Sequence, residues 1–309
     1  LEHGFQIKKR EGMNKIIRKL TYKVRSRWKE QLHSHKKKKM RKKILQYFSR
    51  FPTADEEITE AVSYLQEHPL TTFYGSFQEK YNHGEVEVFI DETNGLPYVI
   101  THGKKLYFKR SQNRYTVQRL FNNLRMEQDE NAPHCYTDND FQIEKEEILA
   151  DVGCAEGYFS LLHIEKTKRI YLFEQDREWI EALEATFAPW KEKIEIIAQF
   201  VSDNNNSEEI SLDCYFQQKE IPGFYKIDVE GAEASVLRGM HQLLQSQPLK
   251  MALCTYHHQE DYTRFSHFFE AQGFRYRRNR GVMIYQNDLD SMTPPFFRTC
   301  LIKATHPHD

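Results

Sequence analysis

From Glu147 onward the sequence is built on one repeated pattern, and that pattern narrows the choice of fold more than any other feature. Short apolar runs occur at 148–150, 170–173, 194–198, 224–227 and 251–253. Between them lie stretches of helical periodicity at 156–165, 176–187, 231–245 and 260–271. Runs this short suit strands buried on both faces, and strands alternating with helices of about 10–15 residues form βαβ units around a parallel sheet. The expectation is a doubly wound α/β sheet. Two later β-like runs, 282–285 and 296–303, predict an antiparallel hairpin at its edge.

Two zones precede this region. Ile16, Ile17, Leu20, Val24, Trp28 and Leu32 recur every three or four residues among lysines and arginines, which predicts an amphipathic basic helix. A run of basic residues follows, Lys36 to Lys39 and Arg41 to Lys43, ahead of the apolar Ile44, Leu45, Tyr47 and Phe48. Residues 1–12 precede Met13 and a credible Met-Asn-Lys-Ile-Ile start, so they carry little weight. Between about 51 and 146 the reading is a small α+β cap. It has a helix over 55–66, a hairpin or meander from 85–91, 96–101 and 104–109, and a helix over 115–128. The expected divisions are a basic helical arm at 1–50, the cap at 51–146 and the doubly wound domain at 147–309.

The net charge of −1 conceals a strong asymmetry. Residues 1–50 hold 18 Lys/Arg against 3 Asp/Glu, a balance of +15, which leaves −16 for the rest. A basic arm on an acidic body points to a polyanionic surface as the arm's partner. The expectation is the plainer reading, a solvated helix packed on its own domain or on a second subunit, with peripheral contact with an anionic membrane or with nucleic acid as the sharper alternative. Five cysteines with no C-x-x-C pair argue against a disulfide framework or zinc ribbon. With no long apolar span and no signal-peptide core, the expected location is the cytoplasm.

In a doubly wound sheet, ligands bind beyond the carboxyl ends of the strands. The first such end reads Asp151-Val-Gly153-Cys-Ala-Glu-Gly157. Its glycines permit a tight turn and close helix packing. The second glycine of a G-x-G-x-x-G fingerprint is missing, however, and Asp151 and Glu156 are anionic, which disfavours a pyrophosphate and suits a cation. Glu174 ends the next strand, where a carboxylate can accept ribose hydroxyls. A glycine loop with a ribose acid and no phosphate cradle points to S-adenosylmethionine. Further along, Asp228, Glu230 and Glu233 fall at one strand-to-helix junction and His257 and His258 at the next. Glu230 and Glu233 could merely complement the helix dipole, and His258 reads as a surface residue. The segment 132–136 could fold over the site, with His134 as a second candidate base or simply a structural loop histidine.

These residues resemble the FkbM-type family of S-adenosylmethionine-dependent methyltransferases. The resemblance is carried by Asp151 to Ser160, Tyr171 to Glu174, Val201 to Asp203, Ser211 to Asp213, and above all Lys226-Ile-Asp-Val-Glu-Gly-Ala-Glu233 followed by Val236 to Gly239. It covers about residues 147–260 and departs at 154–156, where Cys-Ala-Glu replaces the Ala-Asn-x often seen in relatives. It implies a class I methyltransferase (Rossmann-like) sheet. It also implies cofactor contacts at Asp151, Gly153, Cys154, Ala155 and Gly157, a ribose acid at Glu174 beside Gln175, an adenine-side contact near Ser202 and Asp203, and Asp228 at the methyl-transfer end.

On this reading His257 or Asp228 is the general base for a hydroxyl acceptor, and Glu230 or Glu233 orients that acceptor. The acceptor is a small molecule or glycan, with O-methylation of a sugar or natural product favoured. A divalent metal at Asp228 is not favoured. The alternatives are a nucleic-acid methyltransferase using the basic arm, which the acidic body disfavours, and a non-catalytic adenosyl-binding assembly subunit. The sequence leaves a homo-oligomer open.

Overall fold

A computed structural model describes residues 31–306, so most of the amphipathic run beginning at Ile16 lies outside the described residues. The chain divides into two compact units. One comprises the chain up to Thr72 together with Tyr285–Phe296, and the other comprises Phe73–Ile284 and the chain from Phe297. The sequence-based boundary at 146/147 therefore falls inside the second unit, and the segment 285–296 joins the first.

In the first unit, helix α1 (31–50) buries Met40, Ile44 and Phe48 at intervals of four, the spacing that keeps side chains on one helix face. Helix α2 (Glu56–Glu67) starts at Asp55, whose carboxylate accepts from the Ile58 amide at 3.0 Å. Arg41 of α1 donates to the carbonyls of Leu65 and Gln66 (2.7 and 2.8 Å), satisfying acceptors that the end of α2 leaves open. The segment 285–296 meets α1 through Lys43 Nζ on the Met292 carbonyl (2.9 Å) and through Tyr47 edge-on to Phe296.

The second unit opens with an antiparallel sheet of β1 (Phe89–Ile90), β2 (Pro97–Thr101) and β3 (Lys104–Tyr107), followed by α3 (Arg114–Glu127). A seven-stranded sheet follows. Its members in chain order are β4 (Ile148–Val152), β5 (Arg169–Phe173), β6 (Ile194–Ile197), β9 (Phe224–Ile227), β10 (Lys250–Cys254), β11 (Arg275–Arg277) and β12 (Leu301–Thr305). Its spatial order is β11-β12-β10-β9-β4-β5-β6, with β12 antiparallel to both neighbours and the central pairs parallel. This is the mostly parallel class I methyltransferase sheet that the sequence led us to expect. Two short strands, β7 (Phe200–Val201) and β8 (Glu209–Ile210), pair beside it.

Both faces of the sheet are covered, and the period of two decides which residue goes where. Ala150, Val152, Tyr171, Phe173, Tyr225, Ile227, Met251 and Leu253 enter one core. Their strand neighbours Leu149, Ile170, Leu172, Phe224, Ala252 and Cys254 enter the other. The helices flanking these strands include α4 (Tyr158–His163), α5 (Arg177–Phe187), α6 (Leu212–Tyr215), α7 (Glu233–Arg238), α8 (His241–Ser246) and α9 (Asp261–Ala271). The single helix expected over 231–245 is thus two, parted at Gly239 and Met240.

The edge hairpin differs in detail from the expectation. Its strands are β11 and β12, whereas 282–285 contributes only a bridge from Met283 to Arg298. The reason lies in the preceding residues. Asn279 donates to the carbonyls of Pro133 and Cys135 (3.2 and 2.8 Å), which ties this stretch to the segment 132–136 and away from the sheet.

Candidate functional site

The carboxyl ends of β4, β5 and β9 meet around a cavity of about 320 Å³. Gly153, Ala155, Glu174, Gln175, Asp228 and Glu230 contribute to its wall, with apolar surface from Val152, Phe173, Trp179, Phe200, Val201 and Val229. Four of the lining residues are carboxylates (Glu174, Asp176, Asp228, Glu230), and none is Lys or Arg.

The loop after β4 owes its shape to two glycines. Gly153 has φ +74°, and a Cβ there would stand 2.0 Å from the Asp228 carbonyl oxygen, so the backbones of the first and third strand ends touch only because the side chain is missing. Gly157 has φ +75°, and its Cβ would meet Leu183 and Phe187 of α5 at 2.7 and 2.8 Å. Between them Ala155, at φ 47°, sits in left-handed backbone that a residue with a Cβ rarely adopts. Its amide donates to Glu174 Oε2 (3.1 Å), while the Asp176 amide donates to Oε1 (2.7 Å). Glu174 is therefore fixed by two backbone donors, and each oxygen keeps a lone pair for a ligand.

At the other end, Asp228 accepts from the hydroxyls of Tyr136 (2.8 Å) and Tyr256 (3.0 Å). Burial pushes both phenols well above their ordinary pKa, so they stay protonated and donate. Burial would raise the Asp228 carboxyl, but the charge of Lys226 and the nearby His134 and His257 outweigh it, and the group stays below the usual range. His257 has Nδ1 2.9 Å from Glu233 Oε1 and Nε2 3.6 Å from Asp228 Oδ1 and 3.7 Å from Glu230 Oε2. Burial alone would lower its pKa, yet the carboxylates of Glu233, Asp228 and Glu230 raise it above the ordinary 6.5.

Some expected site residues occupy other positions. Asp151 lies beneath the cavity, where Lys226 Nζ approaches Oδ1 at 3.1 Å and Ser160 donates to Oδ2 at 2.7 Å. Its charge is used inside the sheet. Cys154 is buried in the core on the same face, and Gly157 is a packing contact. Beyond β6 the wall is Gln199 to Val201, not Ser202 and Asp203. Ser202 donates to Glu209 (2.7 Å), and Asp203 is held by Ser235 and by Arg238 Nε (2.6 Å). Glu233 is fully enclosed. Its Oε1 also accepts the amides of Val229 and Gly231, so it holds the start of α7 and the imidazole and is not free to orient an acceptor. The segment 132–136 is buried throughout, and none of its residues lines the cavity. His134 lies within it with Nε2 4.0 Å from Asp228, and burial pushes its pKa down to about 4.

Sequence reasoning missed Lys226, Tyr136 and Tyr256. Only Lys226 left a signal, as a charge in the middle of the apolar run 224–227 that required a partner on a neighbouring strand. Two groups of side chains, His134/Asp228/Cys254 and Asp228/Glu233/His257, bring three donor atoms close enough together to hold a metal ion.

The sequence model of the FkbM methyltransferase domain matches residues 106–276, more than half of the chain. The chain belongs to that family. Among solved structures it is similar to the FkbM methyltransferase of Methylobacillus flagellatus, at 18% identity over 62% of this chain and 53% of that one, with a TM-score of 0.43. It thus spans about half the length of that relative. An rRNA methylase of Streptococcus thermophilus (12% identity, 54% and 90% coverage, TM-score 0.36) and the precorrin-6y C5,15-methyltransferase of Geobacter metallireducens (12%, 54% and 83%, 0.37) are also similar. No curated protein matches. The FkbM match starts within β3, so it takes in α3 and the segment 132–136 as well as the seven-stranded sheet up to β11. No described helix is long and apolar enough to cross a membrane.

Proposed function

We propose that this FkbM-family chain binds S-adenosylmethionine in the β4–β5–β9 cavity and directs its methyl group to a hydroxyl oxygen of a small-molecule or glycan acceptor. One observation carries the reading. The cavity is lined by carboxylates with no lysine or arginine, and behind its Asp228, 3.6 Å from that carboxylate, stands an imidazole beside a second, buried carboxylate. A wall of that charge suits a sulfonium and offers nothing to a phosphate. Glu174 takes the ribose hydroxyls through its unused lone pairs, and the adenine packs against apolar wall such as Phe200 and Val201. The cofactor supplies a methyl group whose C–S bond breaks as the acceptor oxygen bonds to carbon, the electron pair staying on sulfur.

The chain's own residues position the acceptor and take up one proton. Glu233 holds His257 so that Nε2 faces Asp228 and Glu230. The neutral imidazole accepts the hydroxyl proton at Nε2, and the resulting cation is stabilised by Asp228. Glu230 is the exposed carboxylate of the set, and it binds the acceptor hydroxyls. Because the sulfonium is already activated, transfer needs no metal ion, and activity is expected to survive EDTA.

Titration calorimetry with S-adenosylmethionine tests the cofactor site. Glu174→Gln, which keeps one acceptor oxygen, is expected to weaken binding roughly tenfold to hundredfold, since hydrogen bonds to a charged group are worth about 1.5–3 kcal/mol. Equal affinity in the variant would remove Glu174 from the site. Incubation with glycan and nucleotide-sugar fractions, read by mass spectrometry for a gain of CH₂, tests the acceptor class. Methylation found only on RNA would overturn the glycan assignment, and binding without turnover on any fraction would favour a non-catalytic subunit.

A further inference from the structure

We propose that the exposed face of α1 docks the protein on an anionic lipid bilayer. With Met40, Ile44 and Phe48 buried, helical geometry turns His35, Lys38, Lys39 and Lys42 to the opposite side, where all four are exposed. Among the described residues no carboxylate pairs with Lys38, Lys39 or Lys42. Beside this face lies a cavity of about 590 Å³ whose wall includes Lys36, Lys39, Lys42 and Lys43, with Asp290 as its one acid. Asp290 is already paired with Lys36, so the groove presents net positive charge.

The chemistry favours a lipid surface over RNA. The exposed charges at 38, 39, 42 and 43 are lysines, point charges suited to a diffuse anionic surface, whereas Arg41, with the planar fork that reads phosphate in two-point contacts, is turned inward onto α2, which leaves Arg50 at the far end as the one exposed arginine of the described part of the helix. Leu32, ahead of the basic run on the side of the lysines, has more than half its surface exposed, and such a residue can enter the headgroup region. A helix of 20 residues is about 30 Å long and meets a flat bilayer along one face. The balance of −16 over residues 51–309 opposes the wrapping that an RNA chain would need.

The test is flotation of the full chain with vesicles of phosphatidylcholine alone or mixed with phosphatidylglycerol. The unaltered protein is expected to float only with the anionic vesicles and to be released at high salt. The triple variant Lys38→Gln/Lys39→Gln/Lys42→Gln, checked for unchanged thermal melting, is expected to partition about a hundredfold less, at about fivefold per lysine. Failure to float with anionic vesicles, equal floating with both kinds, or undiminished partition of the triple variant would each overturn the proposal. So would tighter binding, at the same salt, to a mixed-sequence single-stranded RNA that the triple variant loses.

Discussion

His257→Asn is expected to slow methyl transfer by roughly 10²–10⁴-fold, the contribution typical of a positioned general base, while S-adenosylmethionine affinity changes by no more than a few-fold. Asparagine can still donate to Glu233, which keeps that enclosed carboxylate from losing its partner. Asp228→Asn retains acceptor contacts to Tyr136 and Tyr256 but removes the charge beside the imidazole. Full turnover in both variants would refute the role given to this pair. The pH profile separates a base from a merely structural histidine. Because the His257 pKa is raised above 6.5, its neutral form accumulates only at higher pH, so kcat/KM should climb with pH above that value. Asp228 is one of the groups that raise it, so Asp228→Asn should move this limb to lower pH. Stability runs the other way. A group whose pKa is raised on folding stabilises the protein below its unfolded pKa, and that contribution fades as pH rises through the folded value.

Lys226→Met is expected to cost about 3–5 kcal/mol of stability, because it strands the charge of Asp151 in the middle of the sheet. For a unit of this size the melting temperature should fall by roughly 6–20 °C. The double variant Lys226→Met/Asp151→Leu should recover most of the loss, since a buried ion pair can often be replaced by apolar residues of similar volume. Scanning calorimetry of the two proteins decides the matter. A single variant as stable as the parent would show that the pair does not hold the sheet.

The two predictions stand at different distances from the sequence. His257 and Asp228 could be named as candidates from it because Asp228 directly follows an apolar run and His257 comes within four positions of the next, and in a doubly wound sheet the residues past strand ends face the ligand crevice. What His257 touches could not be named. Glu233 read as an acceptor-orienting carboxylate, yet its side chain turns back under the imidazole, 24 positions further along the chain. Asp151 read as a cofactor carboxylate for the same positional reason. The strand register that sets it opposite Lys226, 75 positions away, gives it a different partner. The segment 132–136 read as one that could fold over the site because it precedes the cofactor strand, and contacts with Asn279, more than 140 positions away, hold it in its buried place.

The sequence by itself determined the alternation of the parallel strands with helices, the side of the sheet on which the crevice lies, the glycine turn and the position of Glu174 at a strand end. All of these follow from periodicity and backbone chemistry within a dozen residues. Only the tertiary structure decided which carboxylates face the cavity and which are consumed by Lys226, His257 or Arg238. The charge a ligand meets depends on strand register and helix packing between residues far apart in the chain, and local pattern carries no record of either.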